Sequence, residues 1–163
     1  MKSETDSSMQ QTSDRIQQLW QRLQTVGGFS YRSSPGPASK TGWFGGGEGK
    51  VEVRVISDSE LHYIETGTFT LDGQQPVDMY NTYIWSKSAQ GIRLSHGRRG
   101  EPVFLFELTV AEADGLWRSV EAHVCIDDLY SGELQESAEG FTLQWTITGP
   151  KKDEHLLYHY RIV

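Results

Sequence analysis

The densest group of reactive side chains in the sequence lies between residues 121 and 130. In a β-strand, Glu121, His123 and Cys125 share one face, because alternate residues of a strand lie on the same side, about 7 Å apart. This row offers three potential metal ligands, or a thiol beside a base. A closed zinc site needs a fourth ligand and a nucleophile needs an oxyanion hole, and the sequence identifies neither. We therefore assign no metal site and no catalytic residue.

Glu65 is the second group with unusual chemistry. It lies in the alternating segment 61–71, where Leu61, Tyr63 and Phe69 occupy the same face. A carboxyl group on an apolar face has to be paired, hydrogen-bonded or protonated, because the burial of an isolated charge is costly. Glu65 is therefore a candidate site residue.

Aromatic residues make up 11% of the chain, and most of the tyrosines and tryptophans fall in strand-like segments. In a two-sheet sandwich these rings would be core. In a barrel about half of them would face inward and line a cavity for an apolar or aromatic ligand, which a few polar groups would orient. The candidate ligand-binding residues are Tyr63, Glu65, Asn81, Tyr83, Trp85, His123, Cys125, Tyr130, Trp145 and Tyr160.

One helix precedes the strands that would position these residues. Residues 1–12 are polar, have no apolar periodicity and are expected to be a disordered tail. From Ser13, apolar residues recur at the three- and four-residue spacing of a helix face, and Gly27-Gly28 is a stop signal. The sequence predicts an amphipathic helix over residues 13–26, at the start of a single domain that covers residues 13–163.

Residues 30–49 are rich in glycine and proline and are expected to be a loop. The chain after them alternates with a period of two and is divided by short turn segments. Such short connections exclude parallel pairing, because a parallel crossover needs a dozen or more residues. Closure into a barrel removes the two edges of an open sheet. The prediction is an all-β, antiparallel, up-and-down, lipocalin-like barrel of eight strands, with a two-sheet sandwich as the alternative. The strands are expected at 50–56, 61–71, 78–86, 91–96, 103–110, 117–126, 140–149 and 154–162.

Composition narrows the classes of function. The formal net charge of −7 argues against a nucleic-acid partner, because phosphate binding needs a concentrated basic surface. The longest apolar run is four residues, so no membrane-spanning segment is expected. The first residues lack the apolar core of a secretory signal, which makes a cytoplasmic location the default expectation.

Several runs of residues are similar to a known family. The specific ones are residues 122–130, read as AHVCIDDLY, and residues 149–153, read as GPKKD. With residues 63–67, 83–85, Trp145 and Tyr160-Arg161, they make the chain between Gly42 and Arg161 resemble the bacterial family called domain of unknown function 6314. The resemblance implies a calycin-like barrel and implies no established activity.

Four functional hypotheses follow, in order of weight. The first is a barrel that binds a small apolar or aromatic molecule in its interior. The second is a small enzyme that uses His123 as a general acid or base. The third is a haem or metal protein with His123 as a ligand. The fourth is an interaction domain that acts through its outer surface and its helix. No cofactor and no oligomeric state are assigned.

Overall fold

The structure is a computed structural model that describes residues 4–40, 44–98, 100–111, 113–119, 123–125 and 128–163. Within these residues one helix is followed by eleven β-strands. Their bounds are α1 Glu4–Leu23, β1 Val26–Pro35, β2 Gly45–Ser57, β3 Glu60–Leu71, β4 Val77–Lys87, β5 Gly91–Arg98, β6 Glu101–Val110, β7 Leu116–Ser119, β8 His123–Cys125, β9 Asp128–Ser137, β10 Gly140–Thr148 and β11 Asp153–Ile162.

The strands form one antiparallel sheet that closes on itself. Its order is β10-β11-β1-β2-β3-β4-β5-β6-β7-β9-β8, and a further pairing between β9 and β10 joins the two ends. β7 and β8 pair with successive parts of β9, with Trp117 opposite Leu134 and His123 opposite Tyr130. They therefore share one position in the wall, and the described residues form a closed barrel with ten strand positions. The all-β antiparallel barrel with an N-terminal helix is confirmed.

The prediction of eight strands is wrong, because β1 and β9 were not expected. Most of β1 falls in the segment 30–49, which was interpreted as a loop from its proline and glycine content, and its first residue, Val26, was assigned to the helix. In β9, a glycine interrupts the apolar inner face, which hides the alternation. A Cβ atom on Gly132 would lie 2.4 Å from the ring of Phe106, so this ring occupies the space that a side chain would need. The predicted strand 117–126 corresponds to β7 and β8, and residues 120–122 and 126 lie outside the described residues.

The glycine-rich start of β2 belongs to the barrel wall for a steric reason. Gly45, Gly47 and Gly49 alternate along β2 and pair with β3. A Cβ atom on Gly47 would lie 2.5 Å from the carbonyl oxygen of Thr68 and 3.0 Å from Cε1 of Tyr31. Glycine therefore lets the two strands approach and leaves room for the Tyr31 ring. A run that reads as a flexible loop is a strand packed against an aromatic side chain.

The helix differs from its prediction at both ends. α1 begins at Glu4 instead of residue 13, so that residues 4–12, expected as a disordered tail, are helical. It ends at Leu23 instead of residue 26, because Val26 already pairs with Ile162 in the sheet. No helix in the described residues is long and apolar enough to cross a membrane.

α1 lies across one end of the barrel. Its side chains reach three turns at that end: Gln17 accepts a hydrogen bond from Lys87, Arg15 pairs with Asp114, and Arg22 donates to the carbonyl oxygen of Ser137. Four apolar residues of its inner face join the core of the barrel. They are Ile16, Leu19, Trp20 and Leu23.

The opposite end of the barrel carries the loop that follows β1. The amide of Gly36 donates to the carbonyl oxygen of Asp153 at 2.6 Å, and the amide of Lys40 donates to that of Lys151 at 3.1 Å. The hydroxyl of Ser39 donates to Glu154 at 2.6 Å. This loop is thus held to the turn between β10 and β11, and we call this end of the barrel the open end, because α1 does not cover it.

Replacement of Leu19 by alanine tests whether α1 is part of the core. Leu19 is fully buried, and the truncation of a buried leucine leaves a cavity that costs about 2–5 kcal/mol. Gln18→Ala, on the exposed face of the same helix, is the matched control and should change the free energy of unfolding by less than about 0.5 kcal/mol. Urea denaturation followed by circular dichroism measures both. Equal effects of the two substitutions would contradict the packing of α1.

Candidate functional site

The centre of the candidate site is the carboxyl group of Glu65, inside the barrel wall. Glu65 lies in the middle of β3, opposite Val51 of β2 and Asn81 of β4. The alternation along β3 puts it on the same face as Leu61 and Tyr63, both fully buried. Glu65 itself is 0% exposed, so its carboxyl group is as inaccessible to water as its apolar neighbours are.

The carboxyl group of Glu65 is only half satisfied. The hydroxyl of Tyr160 donates a hydrogen bond to Oε2 at 2.6 Å. The other oxygen, Oε1, is buried and has no hydrogen-bond partner among the described residues. Buried polar atoms are paired in the large majority of cases, and an exception calls for a water or a ligand as its explanation. Glu65 therefore has one free position for a hydrogen bond inside the barrel.

Burial controls the protonation of Glu65. It raises the pKa of this carboxyl from its ordinary value near 4.5 to about 8, and the hydrogen bond from Tyr160 opposes this rise only in part. The carboxyl group is thus mostly protonated and neutral at pH 7. Inside the barrel it can donate a hydrogen bond when protonated, or accept one and carry a charge when ionised.

Five tyrosines surround this carboxyl group, and their own protonation follows from burial. Burial first, and then the charge of Glu65, raise the pKa of Tyr31 to about 12. Burial is again the main cause that raises the pKa values of the other four phenols above their ordinary value of 10, and the charge of Glu65 is among the further causes. All of these phenols are therefore neutral hydrogen-bonding groups at physiological pH. The other four are Tyr63, Tyr83, Tyr158 and Tyr160.

Stacked rings form one continuous wall of the site. Tyr31 stacks on Phe69 with their ring centres 5.5 Å apart, and on Tyr158 at 5.0 Å. Tyr158 stacks on Tyr160 at 5.4 Å, and Tyr160 stacks on Phe141 at 4.9 Å. These five rings, which we call the aromatic column, run from β3 through β1 and β11 to β10. The rings cover one another's faces, and the column meets the Glu65 carboxyl group through the hydroxyl of Tyr160.

Two further kinds of polar group lie among the rings, namely tyrosine hydroxyls and indole nitrogens. The hydroxyl groups of Tyr83 and Tyr158 are hydrogen-bonded to each other at 3.1 Å, and Trp145 meets Tyr83 edge to face at 6.1 Å. The indole nitrogens of Trp85 and Trp145 are buried and lack a hydrogen-bond partner in the part of the chain that the structure describes. The interior thus contains unused donors as well as an unused acceptor.

The structure brings most of the sequence-predicted site residues together. Tyr63, Glu65, Tyr83, Trp85, Trp145 and Tyr160 are buried in the barrel interior. Asn81 is partly exposed and lies beside Glu65 on β4, whereas Tyr130 is partly buried on β9, in the opposite wall. His123 and Cys125 occupy β8, opposite Tyr130 and Asp128, and their side chains lie outside the described residues.

Two residues of the site were missed in the sequence. Tyr31 lies in the segment that was interpreted as a loop. The two-residue spacing of the aromatic residues Phe29 and Tyr31 was a weak signal for the strand β1. Tyr158 shares the inner face of β11 with Tyr160, and the period of two in this strand was a sufficient signal for it. The hydrogen bond between Tyr160 and Glu65 joins residues 95 positions apart, and no local pattern could have given it.

Metal ligands do not form a cluster in the described residues, where no group of three or more His, Cys, Asp and Glu side chains could hold an ion. His155 lies in β11 and is bound to Asp153 at 3.2 Å.

The chain belongs to the family described as a family of unknown function (DUF6314), which it matches over residues 37–162. A comparison with curated proteins finds no match. A solved structure of a redesigned β-barrel, mFAP1, bound to DFHBI, is similar to this chain at 12% sequence identity with a TM-score of 0.40. The similarity covers 86% of this chain and 96% of that chain.

The protonation of Glu65 predicts a specific pH dependence of stability. Between about pH 4.5 and pH 8 the unfolded chain has lost the Glu65 proton while the folded chain retains it. Stability therefore falls as the pH rises through this window, by up to about 1.4 kcal/mol per pH unit from this group. Glu65→Gln removes this dependence, so its unfolding free energy should rise relative to that of the wild type from pH 5 to pH 8.

Urea denaturation at pH 5, 6.5 and 8 measures this difference. Glu48→Gln, which removes an exposed carboxyl group from the adjacent strand β2, is the matched control and should follow the wild type. If the unfolding free energies of the wild type and Glu65→Gln change with pH in parallel, the prediction is contradicted, because Glu65 would then titrate as an ordinary exposed carboxyl group.

Proposed function

We propose that this member of a family of unknown function is a binding protein that holds a small apolar or aromatic molecule in its barrel interior, as lipocalin-like barrels do. The observation that carries the proposal is the buried carboxyl group of Glu65, which keeps one free oxygen in an interior otherwise made of aromatic rings. A barrel selected for stability alone gains nothing from such a group, because an unpaired buried polar atom costs about 1–3 kcal/mol.

The composition of the interior supports this proposal. Ligand sites in proteins are mostly apolar and aromatic, with a small number of polar groups that orient the ligand. The aromatic column provides the apolar surface. Glu65 and the indole nitrogens of Trp85 and Trp145 provide one acceptor and two donors without partners among the described residues. This is the arrangement expected where a bound molecule completes the hydrogen bonds.

Partly exposed side chains near the open end support access to this interior from that end. Tyr31 and Met79 pack against the core but are only partly buried, and Asn81 is also partly exposed. Met79 lies opposite Gly67, two residues along β3 from Glu65. A ligand that enters from the open end would pass these three side chains before it reaches the carboxyl group. The roles considered for His123 rest on a side chain outside the described residues and stay predictions.

Native mass spectrometry of the protein isolated from its own cells tests the proposal. We expect a co-purifying small molecule at a fixed stoichiometry, which unfolding releases. Met79→Trp places a large ring over the entrance and should reduce the bound fraction at least about tenfold. Asp78→Trp, at the neighbouring exposed position of β4, makes the same addition outside the barrel and should bind as the wild type does.

Circular dichroism and thermal unfolding establish that both variants are folded before binding is compared. Asn81→Leu, at the same entrance, replaces Met79→Trp if the latter fails to fold. A protein that carries no molecule, and that binds no member of a fragment library in ligand-observed NMR, would contradict the proposal. Equal binding by Met79→Trp and Asp78→Trp would place the ligand outside the barrel and contradict it as well.

A further inference from the structure

We infer that the molecule held in the barrel carries a positively charged ammonium group on an aromatic or apolar body, and that the ammonium group binds Oε1 of Glu65. This inference rests on the proposed function and specifies the chemistry of its ligand. The ammonium group would pair with the one carboxylate oxygen that lacks a partner, while the body of the ligand would lie against the aromatic column.

The groups that face Glu65 leave its charge uncompensated. Val51 and Asn81 are its neighbours on the adjacent strands, and Tyr160 is its hydrogen-bond donor. The remaining groups around it are neutral phenols from β1, β3, β4 and β11, and no lysine, arginine or histidine of the described residues forms an ion pair with it. The ring centre of His96 in β5 lies 5.2 Å from that of Tyr83, with the two rings tilted by 35°. The described residues thus supply no positive charge for the ionised form of Glu65, so a cation that pairs with this form would come from the ligand.

The charge of the whole protein points in the same direction. The net charge of −7 attracts cations, and an interior with low-dielectric walls focuses such a field. Glu154, 7% exposed, lies near the open end, where Ser39 donates to it. An anionic ligand would meet this carboxyl group before it reached Glu65.

Cation binding has to compete with the proton on Glu65. The empty site retains this proton at neutral pH, because the pKa of the carboxyl group lies near 8, and the ammonium group binds only the ionised form. Each binding event therefore releases a proton. The affinity for a permanently protonated amine should rise about 50-fold between pH 6 and pH 8, whereas a ligand that accepts a hydrogen bond from the neutral carboxyl would bind more weakly as the pH rises.

Three probes of similar shape and different charge test this inference by isothermal titration calorimetry. They are 2-phenylethylammonium, 2-phenylethanol and phenylacetate. At pH 8 we expect the cation to bind at least about tenfold more tightly than the alcohol, and the anion to bind most weakly. The affinity for the cation should fall at pH 6 as described. The observed heat should depend on the ionisation enthalpy of the buffer, because the buffer takes up the proton that binding releases.

Two variants assign the effect to Glu65. Glu65→Gln keeps the shape of the side chain, and it should reduce the affinity for the cation to about that for the alcohol and remove its pH dependence. Glu48→Gln removes the same charge from the exposed face of β2 and should leave all three affinities unchanged. The unfolding curve of Glu65→Gln verifies that it folds. If it does not, the pH dependence of the wild type decides alone.

The outcomes separate this inference from the proposed function. Equal binding of cation and alcohol, or binding that strengthens at low pH, would overturn the inference and leave the proposed function in place. A co-purifying molecule without a positive charge would do the same. Failure of all three probes to bind, together with the absence of any co-purifying molecule, would refute the proposed function and the inference with it.

Discussion

The burial of one carboxyl group constrains the rest of this structure. Glu65 is inaccessible to water in the middle of β3, and the rings that bury it raise its pKa to about 8. An unpaired buried polar atom is costly, so each polar atom of this interior needs a partner from the wall, from a buried water or from a ligand. Tyr160 supplies one such partner and no described residue supplies the other. The chemistry of the site therefore depends on the carboxyl oxygen that lacks a partner more than on the shape of the barrel.

Contacts in β2, in the aromatic column and at the end of α1 support the position of that carboxyl group. Glycines in β2 allow Tyr31 to lie against the wall, and the stacked rings of Tyr31, Tyr158 and Tyr160 then limit the side-chain positions around Glu65. At the covered end, the hydroxyl of Tyr63 donates to the carbonyl oxygen of Leu23 at 2.6 Å and so joins the site strand to the last turn of α1. The helix therefore closes one end of the barrel and also satisfies a polar group of the interior.

The sequence predicted those parts of the structure that depend on local alternation. The period of two in segment 61–71 placed Tyr63 and Glu65 on one buried face, and the short turns excluded a parallel sheet. Patterns broken by glycine were misread: Val26–Pro35 and the glycine-rich start of β2 are strands, and the ring of Tyr31 fills the space beside Gly47. The pairing of Tyr160 with Glu65 depends on which strands become neighbours when the barrel closes, and a single sequence does not contain that information.

The titration of Glu65 itself tests the central claim most directly. The side-chain carboxyl carbon of Glu65, assigned by the signal that disappears in Glu65→Gln, can be followed by 13C NMR across the pH range. We expect a midpoint near pH 8 in the empty protein and a lower midpoint when 2-phenylethylammonium is present, because a bound cation stabilises the ionised carboxylate. A midpoint near 4.5 that the amine does not move would contradict both the buried, half-satisfied carboxyl group and the binding site built on it.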